Sequence, residues 1–212
     1  MPSPLSVASN MHSSGPKVTM TIQDPINRFN QWFKQELRAG SVMPEAMALA
    51  TSGRDSVVSV RYVLLKQADD RGFAFYTDIR SPKGRQLEEN AHAALAFYWP
   101  RRRRQVRIEG VVEPMPPGQA DEYWLTRPRA SRLSATASRQ SHPLRSRSDL
   151  LARVSQLKRD LQGKEPLRPH YWQGLRVVPK RIEFWREGAF RLHHRELYLR
   201  DGKRWRMILL QP

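Results

Sequence analysis

The sequence predicts an antiparallel β-barrel carrying helices as excursions, on three observations. Its β-branched and aromatic runs are short and succeed one another in hairpin order, with Gly-containing turns between them. Strands do not alternate with crossover helices, which argues against a doubly wound parallel sheet. Neither GxGxxG nor GxxxxGK[ST] occurs, so neither a dinucleotide-binding unit nor a P-loop is supported. The 212 residues suit one large domain, and 39% hydrophobic content with six Trp, six Tyr and seven Phe is enough for a core.

Residues 1–22, rich in Ser, Pro and Met and without period, are expected to form a mobile tail, leaving 23–212 as one domain. Asp24-Pro25 reads as an N-cap followed by proline at the first helical position. Ile26, Phe29, Phe33 and Leu37 then recur at helical spacing, giving a helix over 25–39 that stops at Gly40. Ala46–Thr51 is a short strand, and Val57–Lys66, dense in β-branched residues, is a longer one. Residues 68–72 make a hairpin connection in which Gly72 supplies a positive φ, and Phe73–Thr77 is the return strand. Ser81-Pro82 opens a helix to about Asn90, followed by strands at Ala93–Trp99 and Arg103–Glu113.

In the latter strand Val106, Ile108 and Val111 or Val112 mark the packed face, with Gln105, Arg107 and Glu109 opposite. Gln119–Thr126 is a short helix, 127–145 has little periodicity, and Ser146 caps a helix striped by Leu150, Val154, Leu157 and Leu161. Strands at Leu175–Val178, Arg181–Arg186 and Arg191–Arg200, then a hairpin at Asp201-Gly202 and Arg204–Leu210, close the sheet. The tally is about eight strands and four helices.

With no cysteine, disulfides, thiolate metal sites and Cys nucleophiles are excluded. No run of about 18 apolar residues offers a membrane span, and the first residues lack a secretory pattern, so a cytoplasmic location is expected. The net charge of +17 suggests either nucleic acid or arginines serving small phosphorylated ligands. The run Arg101–Arg104 sits on a short turn with few aromatics placed for base stacking, which favours a solvated turn or a phosphate-facing rim.

Three constellations could carry chemistry. Arg61 and Lys66 bracket the apolar YVLL, and Lys83 and Arg85 fall in the first turn of the helix begun by Ser81, where free N–H groups and the dipole favour an anion. Tyr123, Arg127 and Ser131, four residues apart, can together meet the oxygens of a phosphate monoester. Arg191, His193 and Arg195, read as one face of a strand near Trp185, make a poor metal site but a cradle for an anionic aromatic ligand. The six histidines show neither HxxxH nor HxH spacing, so no metal is expected.

RYVLLK, GFAFYTD, SPKGRQLEEN, AALAFYW, RQVRIEG, EYWLTRPRAS, SRQSHPL, GLRVVPKRIEFW, RLHHR and the final LLQP, in this order, resemble the pyridoxamine 5′-phosphate oxidase family from residue 25 to Pro212. The resemblance implies a split β-barrel, a homodimer and FMN at its interface. It also implies oxidation of pyridoxamine or pyridoxine 5′-phosphate to pyridoxal 5′-phosphate, with O2 as acceptor. By the same resemblance, FMN contacts fall on Arg61, Tyr62, Val63, Leu64, Leu65 and Lys66, on Tyr76, Thr77 and Lys83, and on Gln105, Gln140, Ser141, Trp185 and Arg195. The substrate phosphate falls to Lys66, Tyr123, Arg127 and Ser131, and the pyridine ring to Arg191 and His193, the residues expected to be catalytic.

This chain departs from the family pattern in three places. Pro82 stands where an Arg is common, leaving Arg80 as the candidate substitute; His194 replaces an Asp; and an N-terminal Arg-and-Tyr lid is not visible in residues 1–24. The alternatives are a same-fold FMN oxidase of another aromatic metabolite, as in phenazine-pathway relatives, and a basic nucleic-acid-binding barrel.

Overall fold

A computed structural model of the protein describes residues 24–212; the tail expected over 1–22 lies outside them. The described chain begins with α1 (Pro25–Arg38), β1 (Ala46–Ser52), β2 (Val58–Leu64), β3 (Gln67–Asp69), β4 (Gly72–Asp78), α2 (Pro82–Glu89), β5 (His92–Trp99) and β6 (Arg104–Pro114). It continues with α3 (Pro117–Thr126), α4 (Arg129–Ala137), α5 (Arg147–Asp160), β7 (Trp172–Arg186), β8 (His194–Asp201) and β9 (Arg204–Leu209). The nine strands form one sheet in the order β2-β1-β5-β6-β7-β4-β3, with β8 paired to β7 and β9 to β8. Every pairing is antiparallel. The mainly β barrel expected from hairpin order is therefore what the chain forms.

Helix α1 starts where Asp24 accepts the Ile26 N–H at 2.9 Å and Pro25 occupies the first turn. It is the plug of the sheet: Ile26, Phe29 and Trp32 are buried, and the Phe29 ring lies 4.9 Å edge-on from Phe73 and 5.0 Å from Phe97. Around them gather Met47, Leu95, Val106, Ile108, Val177 and Ile182, the inward-facing alternates of the strands.

Several elements differ from the sequence expectation, each for a local reason. The strands expected at Leu175–Val178 and Arg181–Arg186 are one continuous β7. Pro179, which has no N–H to give the ladder, is accommodated by a register shift opposite Glu109 and Gly110 rather than by a break. Gly110 allows the close approach, since a Cβ there would stand 2.1 Å from the Val178 carbonyl oxygen. The strand expected from Arg191 begins only at His194, because Phe190 and Arg191 both adopt positive φ (54° and 65°) in a 3₁₀ turn. Residues 127–145, read as aperiodic, contain α4; with only Arg132 and Leu133 buried, it carries almost no apolar stripe to betray it. Lys66 leaves β2 before a separate β3, and α3 begins at Pro117, two residues early. Ser81 makes no capping bond to α2. Its hydroxyl instead donates to the Asp78 carbonyl at 2.6 Å. The Ser146 cap on α5 forms as expected, accepting from the Asp149 N–H at 3.1 Å.

The outward face of β2-β1-β5 is apolar and uncovered. Val58, Val60 and Tyr62 are 71%, 68% and 78% exposed. They lie beside a smooth floor of Ala48, Ala50, Ala94 and Ala96, set by the registers Ala48↔Tyr62, Ala50↔Val60, Ala48↔Ala96 and Ala50↔Ala94. A contiguous patch of this kind is the mark of a protein–protein surface.

Phe29→Ala should leave a cavity at the centre of this packing and cost about 3–5 kcal/mol, read by urea denaturation; a loss below about 1 kcal/mol would mean that α1 is not the plug described.

Candidate active site

The residues expected to hold phosphates converge on a cleft of about 510 Å³ between β2, β4, the start of α2 and the α3–α4 pair. Strand β2 contributes Tyr62, Val63 and Leu64, with Lys66 following it; β4 contributes Tyr76 and Thr77. Lys83, Gln140, Tyr123, Arg127 and Ser131 line it as well.

Two cations in this cleft, one buried and one half-buried, have no carboxylate partner. Lys83 is 7% exposed, and its Nζ donates to neutral groups, the Ser81 Oγ at 3.0 Å and the Gln140 Oε1 at 2.6 Å. Burial, then the neighbouring Arg61 guanidinium, pushes its pKa down to about 8 against a weaker opposing pull from Asp78. Gln140 is held in turn by the Thr77 hydroxyl at 3.1 Å. Asp78, the one carboxylate lining the cleft, is committed to Arg80, whose Nη2 lies 2.6 Å away.

The second is Arg127. Its guanidinium stacks over Trp172 at 4.8 Å and Trp124 at 5.2 Å, and its buried Nη1 has no hydrogen-bond partner. Burial lowers its pKa, partly offset by Tyr123. Tyr123 is positioned by an aromatic stack, 4.2 Å from Tyr76, which lies 5.0 Å from Trp172. Gly174, opposite Tyr76 in the ladder, makes this stack feasible: a Cβ there would meet the Tyr76 ring at 2.8 Å. The Lys66 ammonium sits 5.8 Å from the Tyr123 ring centre, so tyrosine, arginine, serine and lysine share one wall.

Other expected residues lie elsewhere. Arg61 does not line the cleft; it donates to the Leu49 carbonyl at 3.1 Å and Thr51 Oγ1 at 2.5 Å, behind Lys83. Leu65 is buried in the core, and Ser141 faces a separate groove with His142 and Leu144. Arg80, the candidate substitute at the Pro82 position, is unavailable: it pairs with Asp78 and covers the Tyr171 ring at 3.2 Å.

Gln105, Trp185 and Arg195 form a second group, aligned across β6, β7 and β8 by the registers Gln105↔Trp185 and Trp185↔Arg195. Arg195 donates to Glu183 at 2.7 Å. His193 lies 4.7 Å from the Trp185 ring and accepts from the Gly188 N–H at 3.3 Å. Arg191 is exposed on the positive-φ turn, so Arg191, His193 and Arg195 do not share a strand face.

Sequence reasoning missed Trp172, Thr126, Pro128, Ala135 and Ser138 as lining residues. The pairing of Trp172 with Gly174, large beside absent on one strand face, was the available signal.

In the run Arg101–Arg104, the last three side chains reach partners within the protein while Arg101 is exposed. Arg102 reaches Glu36 at 3.7 Å, Arg103 reaches Glu187 at 3.1 Å, and Arg104 donates to Gln35 at 2.6 Å.

A mainly β split barrel whose cleft sets Lys83 and Arg127, neither paired with a carboxylate, beside an aromatic stack defines the class of fold. The chain belongs to the pyridoxamine 5′-phosphate oxidase family. The family model described as "Pyridoxamine 5'-phosphate oxidase" matches residues 33–159, and the one described as "Pyridoxine 5'-phosphate oxidase C-terminal dimerisation region" matches 172–212. A protein of Rubrobacter xylanophilus named pyridoxine/pyridoxamine 5′-phosphate oxidase is 49% identical over 89% of this chain and 87% of its own length. A protein of the same name from Ehrlichia ruminantium is 43% identical over 91% of this chain and 100% of its own. PhzG from Burkholderia lata, solved with tetrahydrophenazine-1-carboxylic acid, superposes with a TM-score of 0.86 at 34% identity, covering 91% of this chain and 94% of its own. The relatives' oxidase names and the dimerisation region match the enzyme class and the paired assembly that the motifs implied. Among the described residues no helix is long and apolar enough to cross a membrane.

Lys83 generates a pH prediction for the ligand-free protein. Its folded pKa lies below the unfolded value of 10.5, so between about 8 and 10.5 the unfolded chain holds more protons and stability rises with pH. Lys83→Met should be more stable than wild type at pH 7, with the difference shrinking towards pH 10 in chloride buffers. A difference that does not change with pH would contradict the burial of an unpaired ammonium.

Proposed function

We propose that the protein is an FMN-dependent pyridoxine/pyridoxamine 5′-phosphate oxidase that forms pyridoxal 5′-phosphate with O2 as acceptor. The observation that carries this reading is the pair of cations without counter-ions in one cleft, the buried Lys83 and the half-buried Arg127 with its Nη1 buried and unpartnered. A buried charge is tolerable when its partner arrives with the ligand, and two such charges call for two phosphates, one on the flavin and one on the substrate. The residues fit FMN: Lys83, with Thr77 and Gln140 beside it and Arg61 behind, would take the flavin phosphate. The segment Tyr62–Lys66 would line the cofactor.

FMN, when bound, supplies the two-electron acceptor at its N5 and is returned to the oxidised form by O2. The chain's own contribution is binding and orientation. Lys66, Arg127, Tyr123 and Ser131 would hold the substrate phosphate through charge-assisted and hydroxyl hydrogen bonds. This anchors one end of the pyridine, so that its oxidisable carbon is held against the flavin rather than sampled. Arg191 and His193, which lie with Trp185 away from this cleft, would hold the ring and its phenolic oxygen from a second copy.

Gln105, Trp185 and Arg195 line none of the cleft. Trp185 stands thirteen residues beyond the cleft's Trp172 on β7, roughly 40 Å of strand path at about 3.3 Å per residue. That separation, the dimerisation region and the bare face of Val58, Val60 and Tyr62 support a homodimer in which a second copy's Gln105, Trp185 and Arg195 close over the flavin.

The likeness to PhzG motivates a second reading, oxidation of a reduced aromatic carboxylate, since Arg127 could pair a carboxylate instead. The two readings part on the phosphate. Oxygen-consumption assays should show pyridoxine and pyridoxamine 5′-phosphates turned over and their dephosphorylated forms not. Arg127→Ala should raise KM for the phosphorylated substrates by about 10–100-fold, the worth of a hydrogen bond to a charged group, while the flavin absorbance of the purified protein is kept. Equal turnover with and without the phosphate, or faster turnover of a dihydrophenazine carboxylate, would overturn the proposal.

A further inference from the structure

A second cationic cavity lies outside the cleft, at the end of the barrel beneath α1. The row of residues next to Gln105–Trp185–Arg195 points to the opposite face of the sheet, and it consists of three basic side chains. Arg104 is paired with Arg186 across β6 and β7, and Arg186 with His194 across β7 and β8. Like charges directly opposite one another on a sheet are destabilising unless something neutralises them.

These side chains surround a cavity of about 150 Å³, closed by Arg28 and Trp32 of α1, Phe184 and Glu196. Glu196 is the one carboxylate on its wall, and it is already bound by both arms of Arg28, one at 2.8 Å; Arg28 also donates to the Tyr198 hydroxyl at 2.9 Å. Arg104 is held in place by Gln35 at 2.6 Å and by the Trp32 ring at 4.3 Å, and its Nε is buried with no hydrogen-bond partner. Burial and the nearby Arg102, Arg186 and Arg28 all lower its pKa, with only Glu36 opposing. The side chains of Arg186 and His194 make no hydrogen bond or ion pair among the described residues. The cavity therefore presents donors from three sides and has spent its only acceptor.

We propose that this cavity is a binding site for one phosphate-sized oxyanion, held by Arg104, Arg186 and His194, which ties the end of the barrel to α1. The room suits a single tetrahedral oxyanion, either free phosphate or the phosphate group of a small monoester whose remainder projects past the exposed Arg186 and His194. A guanidinium Nε and a terminal nitrogen offer the paired donors that such an oxyanion takes. The site is independent of the cleft and of the reaction assigned to it: it sits on the other face of β6–β7–β8.

The test is thermal unfolding of the FMN-loaded protein in inorganic phosphate, in glycerol phosphate, and in chloride of matched ionic strength. At about ten times the dissociation constant, phosphate should raise Tm by about 4 °C over chloride. In the Arg127→Ala background, where the cleft's own phosphate wall is disabled, the rise should vanish on adding Arg186→Gln. It should also vanish on adding His194→Asp, where the chain supplies its own anion; His194→Asp by itself should melt above wild type in chloride. Arg127→Ala, which removes the cation of the cleft, should keep the rise. A larger shift with glycerol phosphate assigns the monoester, and an equal or smaller one assigns the free anion. No shift in wild type, a shift lost in Arg127→Ala alone, or one that survives when Arg186→Gln or His194→Asp is added to Arg127→Ala would each overturn the site.

Discussion

Strand β7 is the constraint on which the arrangement of this protein depends. It pairs with β6 along nearly its whole length, with β4 at its N-terminal half and with β8 at its C-terminal half. A break at Pro179 would uncouple the cleft from the C-terminal hairpin. Instead the shift opposite Gly110 keeps one continuous ladder, so Trp172 and Gly174 shape the cleft at one end while Phe184, Trp185 and Arg186 serve two faces at the other. Helix α1 fixes the curl of the sheet by filling its inside with Phe29 and Trp32.

On this frame the functional features come down to where positive charge is left unpaired. The net charge of +17 is not spread evenly in its effect. Much of it is consumed internally, as when Arg176 pairs with Asp69, Arg132 with Glu165 at 2.6 Å and Arg168 with Asp121 at 2.6 Å. What remains unpaired and buried is informative. A desolvated ammonium or guanidinium with only neutral partners is unfavourable for folding, and a site that keeps one gains its compensation from a bound anion. Lys83 meets that description in the cleft; Arg127 there and Arg104 at the barrel end are half-buried, each with one buried guanidinium nitrogen left without a partner.

Much of this was legible in the sequence. The β-branched run before Lys66 and the alternation through Val106 and Ile108 gave strands close to where they lie, and Asp24-Pro25 gave the start of α1. That Tyr123, Arg127 and Ser131 come together on one wall was readable too, because they are separated by about whole helical turns even though a helix break at Arg127 falls between them. What escaped depended on tertiary context. Helix α4 spans only nine residues and buries just Arg132 and Leu133, so its apolar side is too short to stand out as a stripe. Arg191 left the strand face because two successive residues adopt positive φ, with Gly188 folded against the Leu192 carbonyl. Arg80 looked free to replace the arginine missing at Pro82, but Asp78 two residues earlier captures it. A carboxylate that close in sequence competes with any ligand.

The account's central claim is that Lys83 in one copy and Arg195 in another belong to a single active site. Subunit complementation measures this directly. Lys83→Met and Arg195→Ala proteins, each inactive alone, are unfolded together, refolded as mixed dimers with FMN, and assayed for oxygen consumption with pyridoxine 5′-phosphate. If the site is shared, half of the dimers are mixed and each regains one intact site of two, restoring roughly a quarter of wild-type activity by random pairing. Activity that stays at the level of the separate variants would contradict a shared site and put both groups in the same copy.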